Sequence, residues 1–170
     1  MNYKRVFIPN SLIFITIVTK DRKDILIDNI EILKSAFKIT KDKYEFKIIA
    51  IAVNPNHIHM ILKLNDINLY PQIISCIKRN FTKNSNIKYS LNKNRESNIW
   101  QRRYWEHTIL SEYDLYRHID YIHYNSVKHF NIAPKDWEYS SFKKYVSNGY
   151  YSLDWCNLED KYEINNLSFE

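Results

Sequence analysis

In this 170-residue sequence, two apolar runs joined by a short polar turn leave few possibilities for the local fold. The first run, residues 46–53, reads FKIIAIAV, and the second, residues 57–62, reads HIHMIL. Asn54-Pro55-Asn56 lies between them, and proline fixes φ while asparagine tolerates turn geometries. The pattern predicts a β-hairpin whose second strand begins at His57 and is anchored in a hydrophobic core.

Two histidines, His57 and His59, are the candidate functional residues of this hairpin. Alternate residues of a strand share a face, so both imidazoles should point the same way and Ile58 the other. Their Cα atoms would lie about 6.5–7 Å apart, which lets two imidazoles bind one divalent ion. Because no Cys, Asp or Glu stands next to the pair, a third ligand, water and a phosphate would complete the shell. The alternative is that both histidines lie on the solvent face of an amphipathic strand.

Composition indicates a globular protein of one domain. Hydrophobic residues make up 45% and charged residues 26%, an ordinary balance for a chain that buries a core. Lys and Arg outnumber Asp and Glu by 25 to 19, a bias compatible with a nucleic-acid partner. No apolar run approaches a membrane span, and the N-terminus lacks the apolar region of a secretory signal. The expected location is therefore the cytoplasm.

The hydrophobic pattern predicts an α+β fold with the order βαββαβ. This order is typical of a ferredoxin-like antiparallel sheet with helices on one face. Asp28 or Asn29 can cap the first helix. A further helix follows, with Ser111 as its N-terminal cap, and a short helical appendage comes after it. The predicted strands are 12–19, 46–53, the run from His57 and 99–110, and the predicted helices are 29–43, 69–81, 111–128 and 137–146.

A tyrosine near a histidine-bound cation suggests phosphodiester chemistry. The cation would act as a Lewis acid while the tyrosine oxygen attacks phosphorus, and the resulting phosphotyrosine would keep the bond energy for rejoining. Tyrosine has a reference pKa of about 10, so it needs a nearby cation such as the metal or Lys128. The residues alone do not single out one of the 14 tyrosines, although Tyr121 and Asn125 share one helix face.

Several longer motifs together resemble a known family. They are YKRVFIP, VNPNHIHMI, IKRNFT, IWQRRYWEHTI, HIDYIHYNSVKH, and WEYSSF followed by YSLDW. In this order they are similar to the REP-associated tyrosine transposases, which belong to the HUH class of single-strand DNA nucleases. The resemblance runs from Tyr3 to Trp155. It implies one transposase domain over residues 1–155 and a polar tail over residues 156–170.

The resemblance also implies roles for individual residues. By position, His57, His59 and Asn125 correspond to the metal ligands and Tyr121 corresponds to the nucleophile. The implied cofactor is Mg²⁺ or Mn²⁺. The implied reaction is cleavage and rejoining of single-stranded DNA next to palindromic-repeat hairpins, through a covalent 5′-phosphotyrosine. We expect a nucleoid-associated monomer rather than a dimer, because the C-terminal segment can cover the surface through which related enzymes exchange helices.

Basic and aromatic side chains are the candidate DNA contacts. They are Lys4, Arg5, Lys78, Arg79, Lys83, Arg102, Arg103, Trp105 and Lys128. The alternative for each is a solvated helix end, a strand face or core packing. Two other functions stay open: a non-catalytic protein that binds nucleic-acid hairpins, since ferredoxin-like sheets also bind RNA, and a metal phosphodiesterase that uses water as its nucleophile.

Overall fold

The computed structural model describes residues 11–94 and 96–156. Its helices and strands follow one another in the predicted βαββαβ order, with a long helix and a short helix after them. The strands are β1 (Leu12–Val18), β2 (Phe46–Val53), β3 (His57–Leu64) and β4 (Trp105–Ile109). The helices are α1 (Ile30–Lys43), α2 (Tyr70–Asn84), α3 (Glu112–Phe130) and α4 (Phe142–Ser147).

The four strands form one antiparallel sheet in the order β2-β3-β1-β4. The two central strands have almost uniformly buried side chains, which explains why their sequences are nearly continuous apolar runs. The predicted ferredoxin-like α+β fold is confirmed. Strand β2 and the start of β3 at His57 fall at the residues that the sequence indicated, whereas β3 continues to Leu64, beyond the apolar run 57–62.

The sheet buries a different core on each face. Ile13, Ile15 and Ile17 of β1 pack with the apolar sides of α1 and α2, so these two helices share one face. Phe14 points the opposite way and packs with residues of α3, including Ile119 and Ile122. Successive side chains of β1 thus point to opposite faces of the sheet, one covered by α1 and α2 and the other covered by α3.

Helix α3 is bounded by two clear end signals. Ser111 Oγ accepts a hydrogen bond from the backbone N–H of Asp114 at 3.1 Å, as the predicted cap requires. The helix ends where Asn131 adopts a left-handed conformation with φ 55°, a common end for a helix. These ends set the length of α3, while the packing of Ile119 and Ile122 on the sheet sets which of its residues face the strands.

Three predicted details are wrong. The strand predicted for residues 99–110 is regular only over β4, because Trp100 turns into the α1–α2 core instead. The helix predicted for residues 137–146 begins only at Phe142, since the backbone of Tyr139 and Ser141 pairs with the edge of β2. The side chain of Asn29 does not cap α1, because its amide donates to Ile25 O at 2.8 Å.

Among the residues that the structure describes, no helix combines the length and the apolar character that crossing a bilayer requires. The positions of Lys4 and Arg5 and the predicted tail beyond residue 156 lie outside the described ranges. Their roles stay predictions.

Candidate metal centre and active site

Strand β3 carries His57 and His59 on the face that packs against α3. Their ring centroids lie 4.8 Å apart with planes at 77°, while Ile58 between them belongs to the core under α1 and α2. The shared face predicted from the two-residue spacing is therefore present. Both imidazoles are buried, so the alternative of a solvent-facing pair is wrong.

The orientation of His57 is set by its neighbour in the turn. His57 Nδ1 lies 2.8 Å from Asn56 Oδ1, and an amide oxygen can only accept, so Nδ1 carries the proton. Asn56 is itself oriented because its amide donates to Asp24 Oδ1 at 2.6 Å. This relay leaves the lone pair of His57 on Nε2, which faces the interior of the site. Outer partners of this kind commonly orient metal-binding histidines.

His59 is oriented from the adjacent strand. Its Nδ1 lies 2.8 Å from the hydroxyl oxygen of Thr16, the residue directly opposite it on β1. Burial holds the pKa of His59 well below its usual range, and the neighbouring His57 lowers it further. The ring is therefore neutral at physiological pH, which is the form that binds a metal.

Helix α3 brings Tyr121 and Asn125 to the same place. The Tyr121 ring centroid lies 5.1 Å from that of His59, and Asn125 Oδ1 lies 3.3 Å from His57 Nε2. The two residues are four apart, so they stand on one helix face. The four candidate residues, His57, His59, Tyr121 and Asn125, thus form one buried cluster, which we call the histidine–tyrosine site.

Asn54 is a member of this cluster that sequence reasoning missed. Its place in Asn54-Pro55-Asn56 predicts only a turn, yet its amide donates to Asn125 Oδ1 at 2.5 Å and contacts His57 Nε2 at 3.0 Å. Its side chain is fully buried. The sequence did contain one signal for this role. Asn54 is a polar residue directly after an apolar strand and close to the two histidines, at a position where a hydrophobic residue would be expected.

The donor set of this site fits a divalent cation. It offers imidazole nitrogens and amide oxygens, which are neutral ligands that Mn²⁺ and similar ions accept. Ligands next to one another in an octahedral shell with bonds of about 2.1 Å lie about 3.0 Å apart. The separation of 3.3 Å between His57 Nε2 and Asn125 Oδ1 is close to that value.

A second group of possible metal ligands lies at the start of α3. Ligand atoms of His107, Asp114 and His118 all fall within 4.8 Å of one another. The two imidazoles, however, are stacked with planes only 12° apart, and a metal must lie near the plane of each ring that binds it. When two stacked rings have nearly parallel planes, no position close to both rings lies in both planes, so one ion cannot bind both imidazoles. The carboxylate of Asp114 accepts instead from His107 Nε2 and from Leu110 N, so this group is a hydrogen-bond cluster.

A recess beside His57 collects two of the predicted DNA contacts. It has a volume of about 300 Å³, and Arg103 and Trp105 line it together with His57 and Thr16. Arg103 is exposed and Trp105 is 38% exposed, with the Trp105 ring stacked on that of His107 at 5.9 Å between centroids. Lys128 is also exposed, and its ammonium lies 5.1 Å from the centre of the Tyr121 ring.

The other predicted contacts lie along the end of α2. A groove of about 570 Å³ is lined by Lys78, Arg79, Lys83 and Arg102 among others. The Lys78 ammonium already donates a hydrogen bond within the protein, to Gln101 O at 2.7 Å. Burial lowers the pKa of Lys78 to about 8. Arg102 pairs with Glu96 at 2.8 Å. The roles of all four in DNA binding stay predictions.

Comparison with known proteins assigns the chain to a family. Residues 8–125 match the family described as "Transposase IS200 like". The chain belongs to this transposase family. The match includes all the residues of the histidine–tyrosine site, and it confirms the predicted enzyme class, since transposases cut and join DNA strands.

Full-length relatives of this transposase agree with the family match. A Haemophilus influenzae protein named "Putative REP-associated tyrosine transposase" is 44% identical over 168 residues, covering 94% of this chain and 95% of that protein. The REP-associated tyrosine transposase of Escherichia coli K12 is 33% identical over 157 residues, covering 91% and 90%. The resemblance predicted from the motifs is confirmed.

A solved structure supports the same relationship at the level of the fold. A REP-associated tyrosine transposase bound to a REP hairpin superposes with a TM-score of 0.81 at 32% identity. The alignment covers 91% of this chain and 90% of that one.

Proposed function

We propose that this transposase is a metal-dependent single-strand DNA endonuclease that cuts and rejoins DNA through a covalent link to Tyr121. His57, His59 and Asn125 are the proposed metal ligands. The proposed substrate is single-stranded DNA next to a palindromic-repeat hairpin.

One observation carries the proposal. Tyr121 and Asn125 meet His57 and His59 although the two pairs are separated by more than 60 residues of sequence. Burying four polar side chains together without a purpose is unfavourable, because each buried polar group loses its hydration. A shared site for a cation and a nucleophile gives a reason for the arrangement.

The proposed reaction conserves a phosphodiester bond at each step. The Tyr121 oxygen attacks the phosphorus of the scissile linkage, the P–O3′ bond breaks, and the departing 3′ oxygen takes a proton to become a hydroxyl. The 5′ phosphate is then esterified to Tyr121, and attack by a 3′-hydroxyl reverses the step and rejoins a strand. A divalent cation bound at the site supplies Lewis-acid stabilisation of the charge that grows on the phosphate.

Lys128 is the proposed partner of the nucleophile. Its ammonium lies 5.1 Å from the centre of the Tyr121 ring, where its positive charge can stabilise negative charge that develops during the reaction. Tyr121 is 0% exposed, so its hydroxyl must become accessible when DNA binds. The proposal therefore includes a rearrangement around Tyr121 on substrate binding.

The hairpin substrate is proposed by analogy with the solved relative, which holds a REP hairpin. The recess lined by Arg103 and Trp105 supports it, because arginine binds phosphate and an exposed indole stacks on an unpaired base.

We also propose a monomer at the nucleoid. Residues Tyr139 and Ser141 already pair with the edge of β2, where a second chain could otherwise add a strand.

The test is a denaturing gel of the protein with labelled single-stranded hairpin DNA from repeats flanking its own gene. Reactions contain Mn²⁺, Mg²⁺ or chelator. Wild type should form a protein-linked DNA band that requires the metal, and Tyr121→Phe should lose it. Tyr124→Phe is the matched control, because Tyr124 lies on the same helix and is buried in a separate cluster with Val127. It should retain the band.

Two outcomes would replace the proposal. Metal-dependent cleavage without a linked band, persisting in Tyr121→Phe, would indicate a phosphodiesterase that uses water. Tight binding without cleavage across several hairpins would indicate a hairpin-binding protein that lacks the activity.

A further inference from the structure

Asn54 is placed for a role that its position in the turn does not require. Its backbone N–H closes the turn by donating to His57 O at 2.8 Å, so any residue except proline would serve the turn equally. Its side chain instead crosses to α3 and contacts Asn125, 71 residues away in sequence. The side chain is fully buried. Its polarity is therefore directed at the histidine–tyrosine site.

Three side-chain atoms at this point have the spacing of neighbouring metal ligands. Asn54 Nδ2 lies 2.5 Å from Asn125 Oδ1 and 3.0 Å from His57 Nε2, and these last two atoms lie 3.3 Å apart. Neighbouring ligands of an octahedral Mg²⁺ ion lie about 3.0 Å apart. The triangle thus has the dimensions of one face of such a shell.

The NH₂ group of Asn54 holds this triangle together through hydrogen bonds. His57 Nε2 and Asn125 Oδ1 both present lone pairs, and the NH₂ group of Asn54 donates to both. A donor group here does what a cation would do. The oxygen of the same amide, Asn54 Oδ1, is buried and accepts no hydrogen bond from residues 11–94 or 96–156.

A half-turn of this amide exchanges the two groups. Rotation about the Cβ–Cγ bond moves Oδ1 to the position of Nδ2 with almost no change in shape. Three lone pairs would then converge, from two amide oxygens and one imidazole nitrogen. That arrangement is repulsive when the site lacks a cation and favourable when one is bound.

We propose that Asn54 is a fourth protein ligand of the divalent-cation site, and that its amide NH₂ group occupies the place of its ligand oxygen until a cation binds. This inference rests on the proposed function, which assigns His57, His59 and Asn125 to that site. All four ligands are neutral, so no protein carboxylate reduces the charge of the ion. A six-coordinate ion keeps two positions for a phosphate oxygen and water.

The experiment is a calorimetric titration of the chelator-treated 170-residue protein with Mn²⁺ alone, combined with thermal unfolding in chelator and in Mn²⁺. Asn54→Leu removes the oxygen, whereas Asn54→Asp keeps an oxygen at nearly the same position and adds a charge. Asn80→Leu is the matched control, because the Asn80 amide donates to Cys76 O at 2.9 Å within α2, on the other face of the sheet.

The two Asn54 variants should differ in their affinity for Mn²⁺. Asn54→Leu should bind Mn²⁺ at least about tenfold more weakly than wild type. Asn54→Asp should bind at least as tightly as wild type, yet unfold at a lower temperature in chelator, because its carboxylate cannot donate to Asn125 Oδ1. Mn²⁺ should then raise its unfolding temperature by more than it raises that of wild type. Asn80→Leu should match wild type in affinity.

Three results would overturn the inference, and they differ in what else they reject. If both variants bind Mn²⁺ like wild type, Asn54 is not a ligand while the proposed site stands. If Asn54→Asp loses as much affinity as Asn54→Leu, the amide acts as a donor that positions Asn125. If wild type binds no Mn²⁺, the proposed metal site fails and this inference fails with it.

A measurement on wild type serves if the variants do not fold. In a Mg²⁺ titration followed by NMR, the side-chain NH₂ signals of Asn54 and Asn125 should shift together at one Mg²⁺ concentration, since binding breaks the hydrogen bond between them. An Asn54 signal that stays in place while that of Asn125 shifts would contradict the inference.

Discussion

Replacing Thr16 with valine should weaken His59 as a metal ligand without changing the shape of the sheet. The Thr16 hydroxyl lies 2.8 Å from His59 Nδ1, and the two residues are paired across β1 and β3. A ligand role for His59 requires the proton on Nδ1, donated to Thr16, and the lone pair on Nε2. Valine has the same shape as threonine but offers no acceptor, so it removes the interaction that fixes this tautomer.

The magnitude follows from the burial of the pair. Thr16 is 5% exposed and His59 is 0% exposed, so water does not readily replace the lost hydroxyl. Depriving a buried donor of its partner costs about 1–3 kcal/mol of stability. Loss of an outer partner of a ligating histidine lowers metal affinity by about 10–100-fold, which corresponds to about 1.4–2.8 kcal/mol. The expected loss of stability and the expected loss of metal-binding free energy therefore have similar size, because both come from the same hydrogen bond.

The assay compares Mn²⁺ affinity by calorimetry and stability by urea unfolding in chelator. Thr16→Ser restores the hydroxyl and should recover most of the affinity. Thr40→Val is a matched control, because Thr40 is also buried and its hydroxyl donates to Ala36 O at 2.7 Å within α1. It should leave Mn²⁺ affinity unchanged. A Thr16→Val protein that binds Mn²⁺ as wild type does would refute the assigned tautomer, and with it the ligand role of His59 Nε2.

Three further predictions concern the DNA surface and the C-terminal segment. Burial lowers the pKa of Lys78 to about 8, so between pH 8 and the reference value of 10.5 the folded protein releases a proton that the unfolded chain keeps. The stability of wild type relative to Lys78→Met should therefore rise with pH over this range, by up to about 3 kcal/mol, and parallel pH profiles in urea unfolding would contradict this. Arg103→Gln should weaken binding of single-stranded DNA and reduce the slope of log affinity against log salt by about 0.7, whereas Lys34→Gln on α1 should leave both unchanged; equal slopes for wild type and Arg103→Gln would exclude a phosphate contact. Tyr151→Phe removes the hydroxyl that donates to Asp120 and should cost about 1–3 kcal/mol in urea unfolding, and an unchanged midpoint would show that this bond contributes little.

Local sequence predicted the elements whose patterns agree with their surroundings. Strand β2 and the start of β3 were predicted to the residue, because two apolar runs and a proline-containing turn allow few alternatives. The start of α3 was predicted correctly for the same reason, since Ser111 supplies a cap that acts within one turn. The segment 137–146 has an apolar spacing compatible with a helix, but the edge of β2 offers unpaired backbone groups that its first half pairs with. A partner 90 residues away in sequence is invisible to any local pattern.

The spacing of His57 and His59 is enough to put both on one face of a strand, because side chains alternate with a period of two. The spacing of four likewise puts Tyr121 and Asn125 on one face of a helix. That these two faces meet follows from the packing of the helix on the sheet, which also brings in Thr16 and Asn54, 43 and 71 residues away from their partners. Hydrogen bonds among buried polar atoms depend on the rotation and distance of whole elements, and packing of the two cores sets both. The contact between Asn54 and Asn125 is therefore visible only in the folded protein, although Asn54 stands three positions before His57.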